Sequence, residues 1–270
     1  MSGPRRSVLV TGAARGLGRE IALDLGRHGY AVAVVDVDFD GCREYGEANR
    51  SVIEELAAAG VPVLATQAST TDAPAMQELL ARIDAEWRTL DALVCNAGGG
   101  SGRFDENRAS DIDFDALDLV LQRNLYGTIA TVKTALPSLR RASDAAIVTM
   151  GSATGVLVNP AGSYAHYGVA KAAVMHYTRY LANDLASDGI RVNCLAPGII
   201  ATGRARLRLQ EGATEDRPLL TPIGTPQDVA AAVRYLISPA SSFVSGQVLQ
   251  LWRPDASTAR PVPPSRTETP

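Results

Sequence analysis

Short apolar runs recur along this chain, and all but the last are followed by a longer stretch that reads as helical. The runs are 7–11 (SVLVT), 31–37 (AVAVVDV), 61–66 (VPVLAT), 91–95 (DALVC), 145–150 (AAIVTM), 190–195 (IRVNCL) and 247–252 (QVLQLW). Each suits one strand and is too short for a helix. After a Gly-rich turn, Leu17, Ile21, Ala22 and Leu25 lie at helical spacing and Gly29 ends the segment. Residues 40–60 read as one helix with acidic and basic faces, closing at Gly60, and 72–88 as a helix capped by Asp72. Leu117, Val120, Leu121, Leu125, Ile129, Val132 and Leu136 form a stripe that predicts a helix over 114–140. Another helix runs from 164 to about Ser187, and one over 226–237 has Pro226 near its first position. Residues 101–113 are polar and read as a surface loop, and the charged, Leu-bearing stretch 202–222 as a helical lobe.

Strands alternating with helices predict right-handed crossovers and a doubly wound α/β fold, a seven-stranded parallel sheet with helices on both faces. The pattern spans 1–252 as one domain. From Arg253 the chain is Pro, Ser, Thr and Arg without apolar period, so 253–270 reads as a disordered or draped tail.

Composition narrows the function classes. A chain of 270 residues with 46% hydrophobic content has ample core, and a net charge of −3 gives no basic field for nucleic acid or an anionic membrane. No apolar stretch approaches the ~18 residues of a membrane span, and no signal-peptide pattern is present. Three cysteines, Cys42, Cys95 and Cys194, form no CxxC and fit a reduced cytoplasm, and Cys95 and Cys194 read as small core residues at strand ends. No His, Cys, Asp or Glu cluster has metal-ligand spacing, so no metal is expected. Of the histidines, His28 reads as a helix-end residue, His166 as a candidate for the substrate cleft or a surface contact, and His176 as packing or solvent-facing.

In parallel sheets ligands bind beyond the carboxyl ends of the strands. Gly12, Asp36, Asn96, Ser152 and Pro197 follow strands one, two, four, five and six at that edge. The run Gly12-x-x-x-Gly16-x-Gly18 sits between a strand and a helix, where glycines let backbone amides face a phosphate. Asp36 stands 24 residues after Gly12, placed to accept the ribose hydroxyls of an adenosine and to repel a 2′-phosphate. Arg15 in the same turn pulls the other way; the carboxylate lies nearer the ribose, so NAD is favoured over NADP. Tyr167 and Lys171 share one helix face a turn apart. A neighbouring cation favours a phenolate, which makes Tyr167 a candidate acid/base and Lys171 its tuner.

Thr11-Gly12-x-x-x-Gly16-x-Gly18, Asn96-Ala97-Gly98, Asn124, Ser152, Tyr167-x-x-x-Lys171 and Pro197-Gly198, in that order, resemble the classical short-chain dehydrogenases/reductases over about residues 5–252. The resemblance implies a Rossmann-like fold, an NAD cofactor, and dimers or tetramers formed through the helices at 114–140 and 164–187, with a homotetramer expected. It implies that Tyr167 exchanges a proton with the substrate oxygen and that Ser152 hydrogen-bonds that oxygen. Lys171 would tune Tyr167 and hold the nicotinamide ribose, and Asn124 would anchor a water leading from Lys171 to solvent. Gly12, Arg15, Gly16, Leu17 and Gly18 would shape the pyrophosphate turn, and Asn96, Ala97 and Gly98 the adenosine side. Ile200 and Thr202, beyond Pro197 and Gly198, would meet the carboxamide. Ser69 stands near the place where the family has an Asp for the adenine amine, Cys95 replaces an Asn, and the gap from Ser152 to Tyr167 is two residues longer than usual.

The expected activity is hydride transfer between NAD(H) and a secondary alcohol or ketone. An NADPH-dependent ketoreductase and an inactive dinucleotide-binding scaffold are the alternatives. Arg103, Arg108, Arg204, Arg206 and Arg208, in segments expected to set selectivity, point to a substrate with a polar or anionic group.

Overall fold

A computed structural model of the protein describes residues 5–44, 46, 48–203, 205 and 223–252. Its seven strands are β1 (Ser7–Thr11), β2 (Ala31–Asp36), β3 (Val63–Gln67), β4 (Ala92–Cys95), β5 (Ala146–Met150), β6 (Arg191–Pro197) and β7 (Val248–Leu251). They form one sheet in the order β3-β2-β1-β4-β5-β6-β7, and every pairing is parallel. The chain starts at the centre, winds out to β3, crosses back past β1 to β4 and then winds out the other way. The reversal between β1 and β4 opens a crevice above their carboxyl ends.

The strands are continuous apolar runs because both faces are covered. Val8, Val10, Val32, Val34, Val94 and Val148 point to one layer, with Ile21 and Leu25 of α1 (Gly16–Arg27), Val52 and Leu56 of α3 (Val52–Ala58), and Val229, Val233 and Leu236 of α8 (Pro226–Ile237). The alternate residues Leu9, Val35, Leu93, Ile147 and Val192 point to the other. There they meet Met76, Leu79 and Ile83 of α4 (Ala73–Trp87), Val132 and Leu139 of α6 (Gly127–Leu139), and Leu181 of α7 (Ala165–Asp184). Cys42, Cys95 and Cys194 are all buried thiols.

Two expected helices are interrupted. The stretch 40–60 is not one helix: α2 (Gly41–Glu44) ends early, and α3 restarts at a capping box in which Ser51 and Glu54 satisfy each other's backbone amides. The stripe at 114–140 divides into α5 (Phe114–Leu121), a π-helical turn over Gln122–Tyr126, and α6. The π turn inserts one extra residue while keeping the apolar stripe on the core, so periodicity alone does not reveal it. Most of the 202–222 lobe, including Arg204, Arg206 and Arg208, and the 253–270 tail lie outside the described residues. Among the described residues no helix is long and apolar enough to cross a membrane.

Candidate active site

The Gly-rich turn is built for close approach. Gly12 has φ +65°, and a Cβ on it would stand 2.7 Å from the Ala97 Cα, so a larger residue would drive the turn after β1 off the one after β4. A side chain on Gly18 would overlap the Gly12 carbonyl and the Asn96 amide. α1 begins at Gly16 with no side-chain cap from Arg15 and no acidic residue in its first turn, so its positive end favours an anion. Leu17, in that first turn, packs its side chain on the core. Asn96 Nδ2 donates to the carbonyls of Thr11 (3.1 Å) and Gly12 (2.9 Å), and the amides of Asn96 and Ala97 both donate to Thr11 Oγ1 at 3.1 Å. Asn96 and Ala97 therefore tie the two strand ends together, and the Asn96 amide group points into the protein.

Asp36 closes the far side of the turn. Its Oδ2 accepts from the Ala14 amide at 2.8 Å and its Oδ1 from the Val37 amide at 2.8 Å. The carboxylate is thus fixed at the lip of the turn. A Cβ on Gly41 would lie 3.1 Å from Arg15 Nη1 and 3.6 Å from Asp38 Oδ2, so the Arg15 head and a second carboxylate converge beside it. Ser69 Oγ lies 2.8 Å from Thr71 Oγ1 and accepts from the Thr71 amide, which keeps it within its own loop.

On the other side of the crevice, β5 delivers Ser152 and α7 delivers Tyr167 and Lys171. Lys171 is 5% exposed, and its Nζ donates to the Met150 carbonyl at 2.7 Å while standing 5.7 Å from the Tyr167 ring centroid. Burial pulls its ammonium down from the ordinary 10.5 to about 8, so it is still a cation at neutral pH. Burial pushes the nearby Cys194 thiol up, so it stays protonated there. A single 3-10 turn (Ala153–Gly155) follows Ser152 and lies on α7 at Gly168, where a Cβ would meet the Thr154 carbonyl at 2.9 Å. Ser152 Oγ accepts from the Thr154 amide (3.2 Å) and from Thr154 Oγ1 (2.9 Å).

Asn124 sits in the π turn and is 1% exposed. Its Oδ1 accepts from the Gly99 amide at 3.0 Å, and its Nδ2 donates to the carbonyls of Gly99 (3.0 Å) and Val120 (2.8 Å). The side chain is therefore engaged in holding the loop after β4, beside Gly98, whose missing side chain makes room for it. Beyond β6, the Gly198 amide donates to the Leu251 carbonyl at 3.1 Å, Thr202 brings its methyl within 3.5 Å of where a Cβ on Gly16 would be, and Pro197 ends the strand. Ile200 is buried, with its side chain packed on the core.

The loop after β4 is joined to the segment ahead of Tyr167. The Tyr164 amide donates to the Glu106 carbonyl (2.8 Å), the Ala165 amide to Asn107 (3.1 Å), Ser163 Oγ to Phe104 (2.8 Å) and the Ala109 amide to Gly162 (2.9 Å). His166 is fully buried, with Nε2 3.1 Å from the Ser101 carbonyl, so it holds this loop in place of the cleft or surface position expected for it. Tyr164 stacks between Phe104 (4.8 Å) and Tyr167 (5.3 Å) in a left-handed conformation, φ +59°. Arg103, expected to be available to an anion, makes a two-pronged pair with Asp105 at 3.1 Å through both Nε and Nη2. Two contributors escape the sequence motifs. Thr154 carries a signal, a Ser and a Thr two apart at the head of a turn; Tyr164 carries none, since nothing local marks a tyrosine for positive φ. Among the described residues no three His, Cys, Asp or Glu are grouped to hold a metal ion.

A family profile described as Enoyl-(Acyl carrier protein) reductase matches residues 12–251. The chain is 43% identical over 251 residues to a cyclohexanol dehydrogenase of Rhodococcus sp. (strain TK6), covering 89% of this chain and 92% of that protein. A short chain dehydrogenase of Mycobacterium paratuberculosis bound to NAD superposes with a TM-score of 0.77 at 26% identity, covering 92% and 97% of the two chains. A variant of the actinorhodin polyketide ketoreductase with NADPH does so with a TM-score of 0.78 at 28% identity, covering 93% and 98%.

Proposed function

The chain belongs to the short-chain dehydrogenase/reductase family, oxidoreductases of alcohols and ketones, and from that premise we propose that it transfers a hydride between NAD(H) and an uncharged secondary alcohol or its ketone. The observation that carries the reading is Lys171 Nζ, buried and 5.7 Å from the Tyr167 ring, on the helix face that the Ser152 turn packs against. The 43% identity to a cyclohexanol dehydrogenase supports a small alcohol of this class.

The residues present fit a dinucleotide. The turn from Gly12 to Gly18 leaves the space that side chains would fill, the start of α1 suits a pyrophosphate, and Asp36, pinned at the lip of the turn, suits a ribose. A nicotinamide held there would supply the hydride acceptor for oxidation and the hydride donor for reduction.

The chain's own residues manage the proton. Lys171 as ammonium favours the phenolate of Tyr167, which takes the O–H proton as an alcohol is oxidised; in reduction the phenol gives the proton back. Ser152 donates a hydrogen bond to the same oxygen. With the Asn124 side chain engaged by Gly99 and Val120, any water linking Lys171 to solvent would be held by the π-turn backbone and not by that side chain. The pairing of Arg103 with Asp105 supports an uncharged substrate.

An NADPH preference is the second reading, favoured by Arg15 beside the ribose position and by a structural neighbour that carries NADPH. The carboxylates of Asp36 and Asp38 favour NAD, because both repel a 2′-phosphate. Exposed Phe114, Leu119, Val169 and Tyr180 on α5 and α7 support assembly into dimers or tetramers. The test is initial rates with NAD and NADP over secondary alcohols of graded ring and chain size, repeated with Tyr167→Phe. Loss of one proton-transfer group should lower turnover by roughly a hundredfold or more. Wild-type turnover in Tyr167→Phe would reject the mechanism, and faster rates with NADP would reject the role given to Asp36.

A further inference from the structure

Ser152 Oγ has two lone pairs and one hydrogen, as any hydroxyl does. Both lone pairs have a donor from a single residue: the Thr154 amide at 3.2 Å and Thr154 Oγ1 at 2.9 Å. Ser152 donates to no group among the described residues. Its oxygen is occupied as an acceptor, and its proton is left over.

We infer that Thr154 is a positioning residue that makes Ser152 a hydrogen-bond donor only, and so decides where a substrate alcohol sends its own proton. This rests on the reading of Ser152 and Tyr167 as the pair that meets the substrate oxygen. An alcohol bound between them has one O–H to direct. Directed at the Tyr167 phenolate, it is on the reaction path. Directed at Ser152 Oγ, it leaves Tyr167 with nothing to take, and the alcohol is bound but unreactive. Filling both lone pairs of Ser152 removes the second pose, because Ser152 can only donate and the alcohol oxygen must accept. The ketone has no hydrogen to misdirect, so the device acts on oxidation and is nearly silent in reduction.

The backbone amide would cap the short turn whatever the side chain at 154. The hydroxyl is a separate contribution, since Val or Ser in its place leaves the amide bond intact. Thr154 is exposed, so isosteric replacement by Val creates no cavity and buries no orphan.

The experiment measures single-turnover hydride transfer, with cofactor pre-bound and substrate saturating, in both directions for wild type, Thr154→Val and Thr154→Ser. Thr154→Val is expected to slow alcohol oxidation about fivefold, the value of one oriented hydrogen bond. The alcohol KM should fall in parallel, because the misdirected pose binds without reacting. Ketone reduction should change by less than about twofold on the same grounds. Thr154→Ser, which keeps the hydroxyl, should restore oxidation, and the melting temperature and NAD affinity should match wild type in both variants. Wild-type oxidation in Thr154→Val overturns the inference, as does equal slowing in both directions or a Thr154→Ser variant as slow as Thr154→Val. Failure of the underlying reading shows separately, as undiminished turnover in Tyr167→Phe.

Discussion

The Tyr164 hydroxyl fills the space that a side chain on Gly100 would need. Tyr164 cannot swing aside easily, because its ring is held by Phe104 at 4.8 Å, His166 at 5.0 Å and Tyr167 at 5.3 Å. Its amide is bonded to Glu106, and its left-handed backbone costs on the order of 1 kcal/mol that the surrounding contacts offset. Gly100→Ala should therefore push the Tyr164 ring toward Tyr167, destabilise the fold by about 1–3 kcal/mol and lower turnover. Adding Tyr164→Phe removes the atom that collides first. A double-mutant cycle on urea midpoints and kcat should show the pair recovering part of the Gly100→Ala loss. Strict additivity would mean that the two residues are not in contact.

Asp36→Asn separates charge from shape. The amide oxygen can still accept from Ala14, whose bond to the carboxylate is 2.8 Å, but the NH2 then faces the Val37 amide and that second 2.8 Å bond is lost, so the turn should keep its form with a small loss of stability of about 1 kcal/mol. What disappears is the repulsion of a 2′-phosphate. The ratio of kcat/KM with NAD to that with NADP should fall by about tenfold, equivalent to ~1.4 kcal/mol. An unchanged ratio would move the selectivity to Asp38 or Arg15.

The strands were legible because a sheet covered on both faces needs continuous apolar runs, and Val8-Leu9-Val10 supplies both layers at once. The crevice was legible because its residues follow strand ends. The break in 40–60 was also written locally, in the Ser51 and Glu54 capping pair, and a helical reading of the charged faces overrode it. The π turn at Asn124 was not legible, since one inserted residue leaves the apolar stripe intact. Nor were the roles of Tyr164 and His166: the partners that fix them, Gly100 and Ser101, lie more than sixty residues away in sequence and meet them only when the loop after β4 folds over α7.

Arg103→Ala addresses the charge of the substrate. The guanidinium is 75% exposed and is held by Asp105 through two contacts of 3.1 Å. A pair this exposed adds little after solvent screening, so the variant should lose little stability. An uncharged alcohol gains nothing from this residue, and its KM should stay within about twofold of wild type. A tenfold rise confined to carboxylate-bearing alcohols would show that Arg103 leaves Asp105 to bind an anion.

Lys171→Met tests what burial of the ammonium costs. The folded protein holds Lys171 at about 8 against an ordinary 10.5, so between those values the unfolded chain binds more protons than the folded one. Stability from this group therefore rises with pH across that window, and the desolvation cost is fully present below about 8. A shift of that size corresponds to ~3 kcal/mol, and losing the hydrogen bond to Met150 takes back about 1 kcal/mol. Met keeps the apolar stem. The variant should thus be inactive yet more stable than wild type by ~2 kcal/mol at pH 7 on those values. The gap should close by about pH 10 and reverse slightly above 10.5, where wild-type Lys171 becomes neutral in both states and keeps its hydrogen bond to Met150. Cys95, whose thiol is shifted by burial alone, is common to both proteins and cancels in the difference. Urea unfolding of the two proteins at pH 7 and pH 10 reads this directly. A gap that is constant with pH would mean that Lys171 keeps an ordinary titration in the fold, and that Tyr167 faces a better hydrated cation than the burial of Lys171 implies.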